Sequence, residues 1–394
     1  MIAIRRGRLG ACVSSRAVGV LVLLSTSSAA LAQQSGQPNP SSPNESSTPS
    51  IVTPDHRSMA EGGQAREIAD RFQASWRLLV WPAGSTVSGC FMDQSDPANQ
   101  SLRAAIVQAG DAWSAIANLK FDFGSAPDYR SCDVTQPSDI RVSFVSSFVS
   151  RSAIGTRALD LRPGVPTMTI HTSTFGVAVT KAPQARLDLF IHEFGHALGL
   201  PHEHQHPASP CAEELAFPAL CPGEYERGKP NDPHSMRINA RVNLFAAQRA
   251  PILDPDPARL VPYDVRSVMH YRFPSTALKG GTNSACFTSE SRTLSDGDRA
   301  KMEILYPADP EAQRRMLRGE LKALARALAH HGVSEETAHQ IRRLVATRLA
   351  RRFPDVDGLM DFSGLAFPRA SPETRAIEAR LANPSAFLPA ACPR

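Results

Sequence analysis

No apolar run in this 394-residue chain is long enough to cross a bilayer. The longest candidate, Ala17 to Leu24, has eight residues, where a span takes about twenty. That excludes a transmembrane anchor. Cysteine is also sparse, with seven in all, and none has the spacing of a zinc knuckle. Any metal must therefore be held by other side chains. There is no internal repeat and no nucleic-acid-binding module, so a solenoid and a DNA or RNA partner are both excluded. What remains is 42% hydrophobic residues, enough for a real core, and 32 prolines, which favour long ordered loops and at least one linker.

The amino terminus reads as an export signal. Arg5, Arg6, Arg8 and Arg16 precede the short apolar run, and Ala30-Leu31-Ala32 is a small-x-small cleavage site that leaves Gln33 first. Two decoys are set aside. Leu9-Gly10-Ala11-Cys12 imitates a lipoprotein box but precedes the apolar run, and Arg5-Arg6 lacks good twin-arginine flanks. The expected location is secreted, extracellular or periplasmic. Asn44 and Asn99 stand in glycosylation-type triplets, which are common by chance.

Six cysteines remain beyond Cys12: Cys90, Cys132, Cys211, Cys221, Cys286 and Cys392. An even number in an exported chain points to three disulfides, with about fifteen pairings open. Cys211–Cys221 closes a short proline-containing loop and is the first choice. Cys90–Cys132 and Cys286–Cys392 complete the set.

Residues 192 to 202 carry the chemistry: His192-Glu193-x-x-His196-x-x-Gly199-x-x-His202. Leu187, Phe190, Ile191, Phe194, Ala197 and Leu198 recur at helical spacing, so Arg186 to Leu198 is predicted as a helix, with Pro183 before its first turn. Residues four apart share a helix face, which lets His192 and His196 bind one ion. Glu193 then points beside the metal, where a carboxylate takes a proton from zinc-activated water. Gly199 supplies the left-handed residue that ends the helix, and Pro201 prevents its resumption. His202 returns as the third ligand, leaving the open position that a catalytic zinc needs. One catalytic Zn2+ ion is the expected cofactor. A bare His-Glu-x-x-His occurs by accident in buried helices; five fixed residues in an eleven-residue frame are far more specific.

Downstream, Ser267-Val268-Met269-His270-Tyr271 follows Tyr263-Asp264. The zinc motif followed by this methionine turn resembles the metzincin clan of zinc peptidases. Ser-x-Met-His-Tyr, with Glu203 directly after the third histidine, is similar to the astacin family. His202-Glu203-His204-Gln205 resembles its bacterial branch, and Leu294-Ser295-Asp296-Gly297-Asp298 through Tyr306 is similar to its closing helix. The resemblance runs from about Ser75 to Pro307, roughly six tenths of the chain. It implies an α+β fold: a metzincin-like catalytic domain with a twisted mixed sheet, an active-site helix and an irregular lower subdomain. It also implies that Met269 is an apolar floor under the imidazoles. Tyr271 would be a weak additional ligand that swings away to donate to the oxyanion, and Glu203 would pair with the amino terminus made on maturation. The chain departs from the pattern at His206-Pro207, in the insertion bracketed by Cys211 and Cys221, and in lacking an inhibitory aspartate motif. His204 and His206 are read as loop residues and His270 as structural.

Elsewhere, Glu67 to Ser75 is predicted as a short helix and Ser101 to Asn118 as a longer one. Strands are predicted at Trp76 to Trp81, Leu119 to Phe123, Ile140 to Phe144 and Thr167 to His171. In the resembling clan the last of these is the edge that pairs with an extended peptide. Leu294 to Tyr306 is a helix capped by Ser295. Glu311 to Arg352 carries ten basic and four acidic side chains, a surplus larger than the whole chain's +5. Its apolar stripes predict a hairpin, Pro310 to His330 and Glu335 to Arg352, with Gly332 ending the first helix and Ser334 capping the second. The hairpin either docks on the catalytic part or offers a basic patch to an acidic surface.

The segments expected are therefore a signal peptide (1–32), a Ser/Pro-rich linker or pro-segment (33–70), a zinc metallopeptidase domain (71–307) and a basic helical C-terminal extension (308–394). The function expected is a secreted zinc-dependent endopeptidase acting on protein or peptide substrates. The competing reading is a non-catalytic, zinc-containing binding or adhesion module; the intact Glu193 argues against it, since a binder needs no base there.

Overall fold

The computed structural model describes residues 65, 68, 78–93, 99–145, 150–174, 177–178, 186–206, 208–214, 261–273, 275, 278–289, 293–355 and 364–382. Among them the fold is α+β, built on a five-stranded mixed sheet of β1 (Thr86–Phe91), β2 (Lys120–Asp122), β3 (Ile140–Val145), β4 (Arg151–Ser152) and β5 (Met168–His171). The strand order is β2-β1-β3-β5-β4. β1 runs parallel to β2 and β3, β3 parallel to β5, and β4 lies antiparallel on β5. A parallel pair needs a crossover, and helix α1 (Gln100–Ser114) supplies it between β1 and β2. A small two-stranded sheet, β6 (Ser173–Thr174) and β7 (Val177–Ala178), follows.

α1 buries Leu102, Ala105, Ile106, Ala109 and Trp113, the helical spacing read from the sequence. It packs on α2 (Leu187–Ala197), where the Trp113 indole donates to Ile191 O at 2.7 Å. Phe194 of α2 packs edge-on against Phe121 and Phe123 of the β2 region, with centroids 4.8 and 6.0 Å apart. The zinc-motif helix is thus clamped between α1 and the sheet.

Two expected strands need correction. Leu78 to Trp81 is not a strand; all four side chains are buried, and the segment braces the end of α2 instead. The Trp81 indole donates to Ala197 O at 2.8 Å. The first strand is Thr86–Phe91, hidden in the sequence by Ser88 and Gly89. The free edge is not β5 either: Arg151 and Ser152 of β4 cover it at Thr169 and Met168. The helix expected at Glu67 to Ser75 and the position of Pro183 lie outside the described residues.

After the site come α3 (Asp296–Leu305), α4 (Pro310–His330), α5 (Glu335–Ala350) and α6 (Pro372–Ala382). Ser295 forms a capping box with Asp298. Gly332 has φ +69°, and the Ser334 hydroxyl accepts from Thr337 N. The expected hairpin is therefore present, but a third helix closes it: Glu378 of α6 accepts from both the amide and the hydroxyl of Ser334. Leu317, Leu321, Leu324 and Leu328 of α4, with Ile341, Val345 and Leu349 of α5, join the same apolar core as α1, α2 and the sheet. Part of the basic surplus faces inward. Arg348 and Arg351 pair with Asp160 at 3.1 Å, and Arg352 pairs with Asp139 and covers the Trp81 ring at 5.1 Å.

Two disulfides are present among the described residues. Cys90–Cys132 is the expected pair. Cys211 joins Cys286, across 75 positions, which overturns both the expected Cys211–Cys221 and Cys286–Cys392 pairs. Short loop length favoured Cys221, but Cys211 lies in a single helical turn (Cys211–Glu214) whose buried sulfur faces the methionine-turn side, beside Tyr263 and His270. Cys221 and Cys392 lie outside the described residues. No described helix is long and apolar enough to cross a membrane.

Gln313 of α4 fastens the extension. It is 1% exposed, donates to Trp81 O and Leu305 O at 2.9 and 2.6 Å, and accepts from Ala83 N at 2.7 Å. Gln313→Leu strands two buried carbonyls and a part-buried amide and is expected to destabilise the fold by about 2–4 kcal/mol. A urea-unfolding midpoint equal to that of the unaltered protein would count against this account.

Candidate metal centre

α2 places His192 and His196 one turn apart on one face, with ring centroids 4.8 Å from each other. The helix ends at Ala197. Gly199 has φ +97°, Gly199 N donates to His196 O, and Leu200 N reaches back to Gly195 O at 2.9 Å. This left-handed ending turns the chain over and brings His202 to 4.6 and 5.1 Å from the other two rings. The candidate ligand nitrogens of His192, His196 and His202 all lie within 4.8 Å of one another, close enough to share one ion.

Backbone carbonyls set the tautomers. Val268 O faces His192 Nδ1 at 2.8 Å and Leu200 O faces His196 Nδ1 at 2.7 Å. A carbonyl only accepts, so each Nδ1 carries the proton and each Nε2 turns a lone pair inward. Burial holds all three imidazoles below their usual pKa, His196 at about 3. They are neutral, as ligands must be. Glu193 is 3% exposed, and its Oε2 has no hydrogen-bond partner among the described residues. Burial pushes its carboxyl up to about 8. An orphaned buried acid beside three neutral, inward-facing imidazoles fits a divalent cation: the ion would supply the charge that this carboxylate lacks.

The methionine turn touches the site at two places, Val268 O against His192 and Met269 against Gly195 of α2. Met269 is 1% exposed, and a Cβ on Gly195 would overlap its sulfur. Gly195 is therefore required inside the helix, despite its poor propensity there, because the floor approaches so closely. Tyr271 stands edge-on to His202 at 5.7 Å.

Asp298 and Tyr306 take part in the centre without having been given a site role in the sequence. Asp298 of α3 accepts from Ser267 Oγ at 2.5 Å and from Val268 N at 3.0 Å, steadying the carbonyl that orients His192. The Tyr306 hydroxyl donates to Leu198 O at 2.7 Å, satisfying a helix-end carbonyl. His204 is not an exposed loop residue. It is 2% exposed and packs among His202, Tyr271 and Phe273. His206 is half-buried and bonds Val261 O at 2.9 Å. His270 bonds the Tyr263 hydroxyl and Tyr271 O, each at 2.8 Å, and points away from the three imidazoles. Glu203 was expected to receive an amino terminus; here its carboxylate pairs with Lys301 and accepts from Asp264 N at 2.9 Å.

No protein-family model matches the chain, and no curated protein does. Solved structures do. One is a structure of myroilysin, 26% identical, covering 59% of this chain and 97% of that one, with a TM-score of 0.42. A second myroilysin crystal structure is 23% identical over 58% of this chain and 86% of that one, with a TM-score of 0.36. A third is high choriolytic enzyme 1, a hatching enzyme zinc-protease from the medaka fish Oryzias latipes, 15% identical over 59% and 96%, with a TM-score of 0.34. The chain resembles astacin-family zinc proteases.

Two outcomes follow from the geometry. Gly195→Ala forces its methyl into Met269 and is expected to cost about 1–3 kcal/mol, read as a lower thermal midpoint. The second concerns pH in the presence of a chelator. Glu193 titrates at about 8 when folded against 4.5 otherwise, so the stability it contributes is full below 4.5 and lost as pH rises to 8. His196 titrates at about 3 when folded against 6.5 otherwise, so its contribution is full above 6.5 and lost as pH falls toward 3. The chelated protein should be most stable between these limits, near pH 5–6 by order of magnitude. Urea melts that stay level up to pH 8 would contradict the burial of Glu193.

Proposed function

We propose that this chain is an exported zinc endopeptidase of the astacin-like metzincin type. The observation that carries the reading is the convergence of three neutral imidazoles beside the unpartnered, buried carboxyl of Glu193. A structural zinc site would have a fourth protein ligand and no use for a buried base.

His192, His196 and His202 would hold the ion. Zinc bound there lowers the pKa of water toward about 7 and polarises the scissile carbonyl. Glu193 takes the proton of the attacking water and delivers it to the departing amine, so one carboxyl serves as base and then as acid. Tyr271, beside His202, donates a hydrogen bond to the oxygen on which charge develops. Met269 keeps the underside of the rings apolar.

The two disulfides support an oxidising compartment, extracellular or periplasmic. On this reading the peptidase domain spans 71–307, and 308–394 is an extension; its apolar residues in the shared core support that division. The ion pairs of Arg348 and Arg352 with Asp160 and Asp139 support docking as its main role; contact with an acidic surface is the alternative.

Glu193→Gln is expected to keep one zinc per chain while proteolysis of casein falls on the order of 10²–10⁴-fold. A fully active variant would refute the mechanism, and unaltered protein that binds zinc but never cuts would favour the binding-module reading. Tyr271→Phe should lower kcat by about 10²-fold with KM little changed; a change in KM alone would remove Tyr271 from the oxyanion role.

A further inference from the structure

One face of α3 reaches the candidate centre twice. Asp298 holds Val268 N, and Val268 O orients His192. One turn along, the Lys301 ammonium reaches Glu203 Oε2, with both side chains about 95% buried. Glu203 follows His202 directly. Its other oxygen accepts from Asp264 N at 2.9 Å, and its own amide donates to Met269 O at 2.9 Å. Two opposite charges out of water stabilise one another only while both are present. The ion pair therefore fixes the position of the 203–205 turn, and with it the imidazole that precedes the turn.

The geometry points to Lys301 as the positioning residue for His202. Its ammonium is an internal counter-ion to Glu203, so the third ligand is locked by a side chain of α3 and not by a freed chain terminus. The inference rests on the reading that the three imidazoles hold zinc. Each oxygen of Glu203 already accepts one bond from within the fold, so the turn is held without an added amino terminus. On this assignment, assembly of the centre does not require a particular trimmed terminus.

The test is zinc affinity of the full chain, measured by competition with a chromophoric chelator. Lys301→Met should weaken zinc on the order of 10–100-fold, the usual effect of losing an outer-shell partner. It should also shrink the rise in thermal midpoint that zinc produces; a merely structural lysine would lower chelated and zinc-loaded midpoints together and leave that rise intact. A lone buried carboxylate threatens folding, so the double variant Glu203→Gln/Lys301→Met, which orphans no charge, is measured beside it and should still bind about tenfold more weakly. An amino-terminal extension of the unaltered chain should leave affinity unchanged. Unaltered affinity in either lysine variant, or a tenfold loss caused by the extension, overturns the assignment. Unaltered protein that binds one zinc yet cuts no peptide would defeat the proposed activity and leave this assignment standing.

Discussion

Gly199 holds a backbone conformation with φ +97°, and the site depends on what that single residue does. A straight continuation of α2 would carry the next imidazole away from the first two. The left-handed residue instead folds the chain back under its own last turn, so that Leu200 N bonds Gly195 O and Leu200 O orients His196. The same reversal that delivers His202 thus also orients the second ring. Any side chain at 199 would strain this conformation, and the strain would fall on two rings at once.

The reversal is held in place from a distance. Carbonyls at the end of α2, which have no intrahelical partner, receive Trp81 and Tyr306, more than a hundred positions away in each case. α3 grips the methionine turn through Asp298, and Gln313 links α4 to both Trp81 and the end of α3. The centre is a local motif in sequence, but its rigidity belongs to contacts gathered from most of the chain. That is the arrangement precise ligand geometry asks for, since first contacts are only as exact as the groups behind them.

The parts legible in the sequence were those written in local pattern. The spacing of His192, His196 and His202 foretold their convergence, and helical periodicity placed α1, α2, α4 and α5 within a few residues. Ser295, Gly332 and Ser334 announced helix ends because capping chemistry is local. What escaped was set by partners far along the chain. Leu78 to Trp81 reads as a strand, yet it is buried on every side against a helix end. Thr86–Phe91 does not look like a strand, because Ser88 bonds Asp139 and Gly89 lies flush against Phe123. Nothing near Lys301 marks it as the partner of Glu203, and nothing near Cys211 marks Cys286 over Cys221. His204 is read as a loop residue because three histidines already fill the metal's ligand set; its burial comes from Tyr271 and Phe273.

The Cys211–Cys286 bond closes a covalent ring that begins just past the third histidine and includes Met269 and Tyr271. Closure entropy grows only logarithmically, so doubling the contour of such a ring costs about 0.6 kcal/mol. Residues inserted or deleted within it therefore perturb the anchored rim very little. On the proposed peptidase reading, a lineage could change the length of that stretch while Met269 and Tyr271 stay inside the same closed ring.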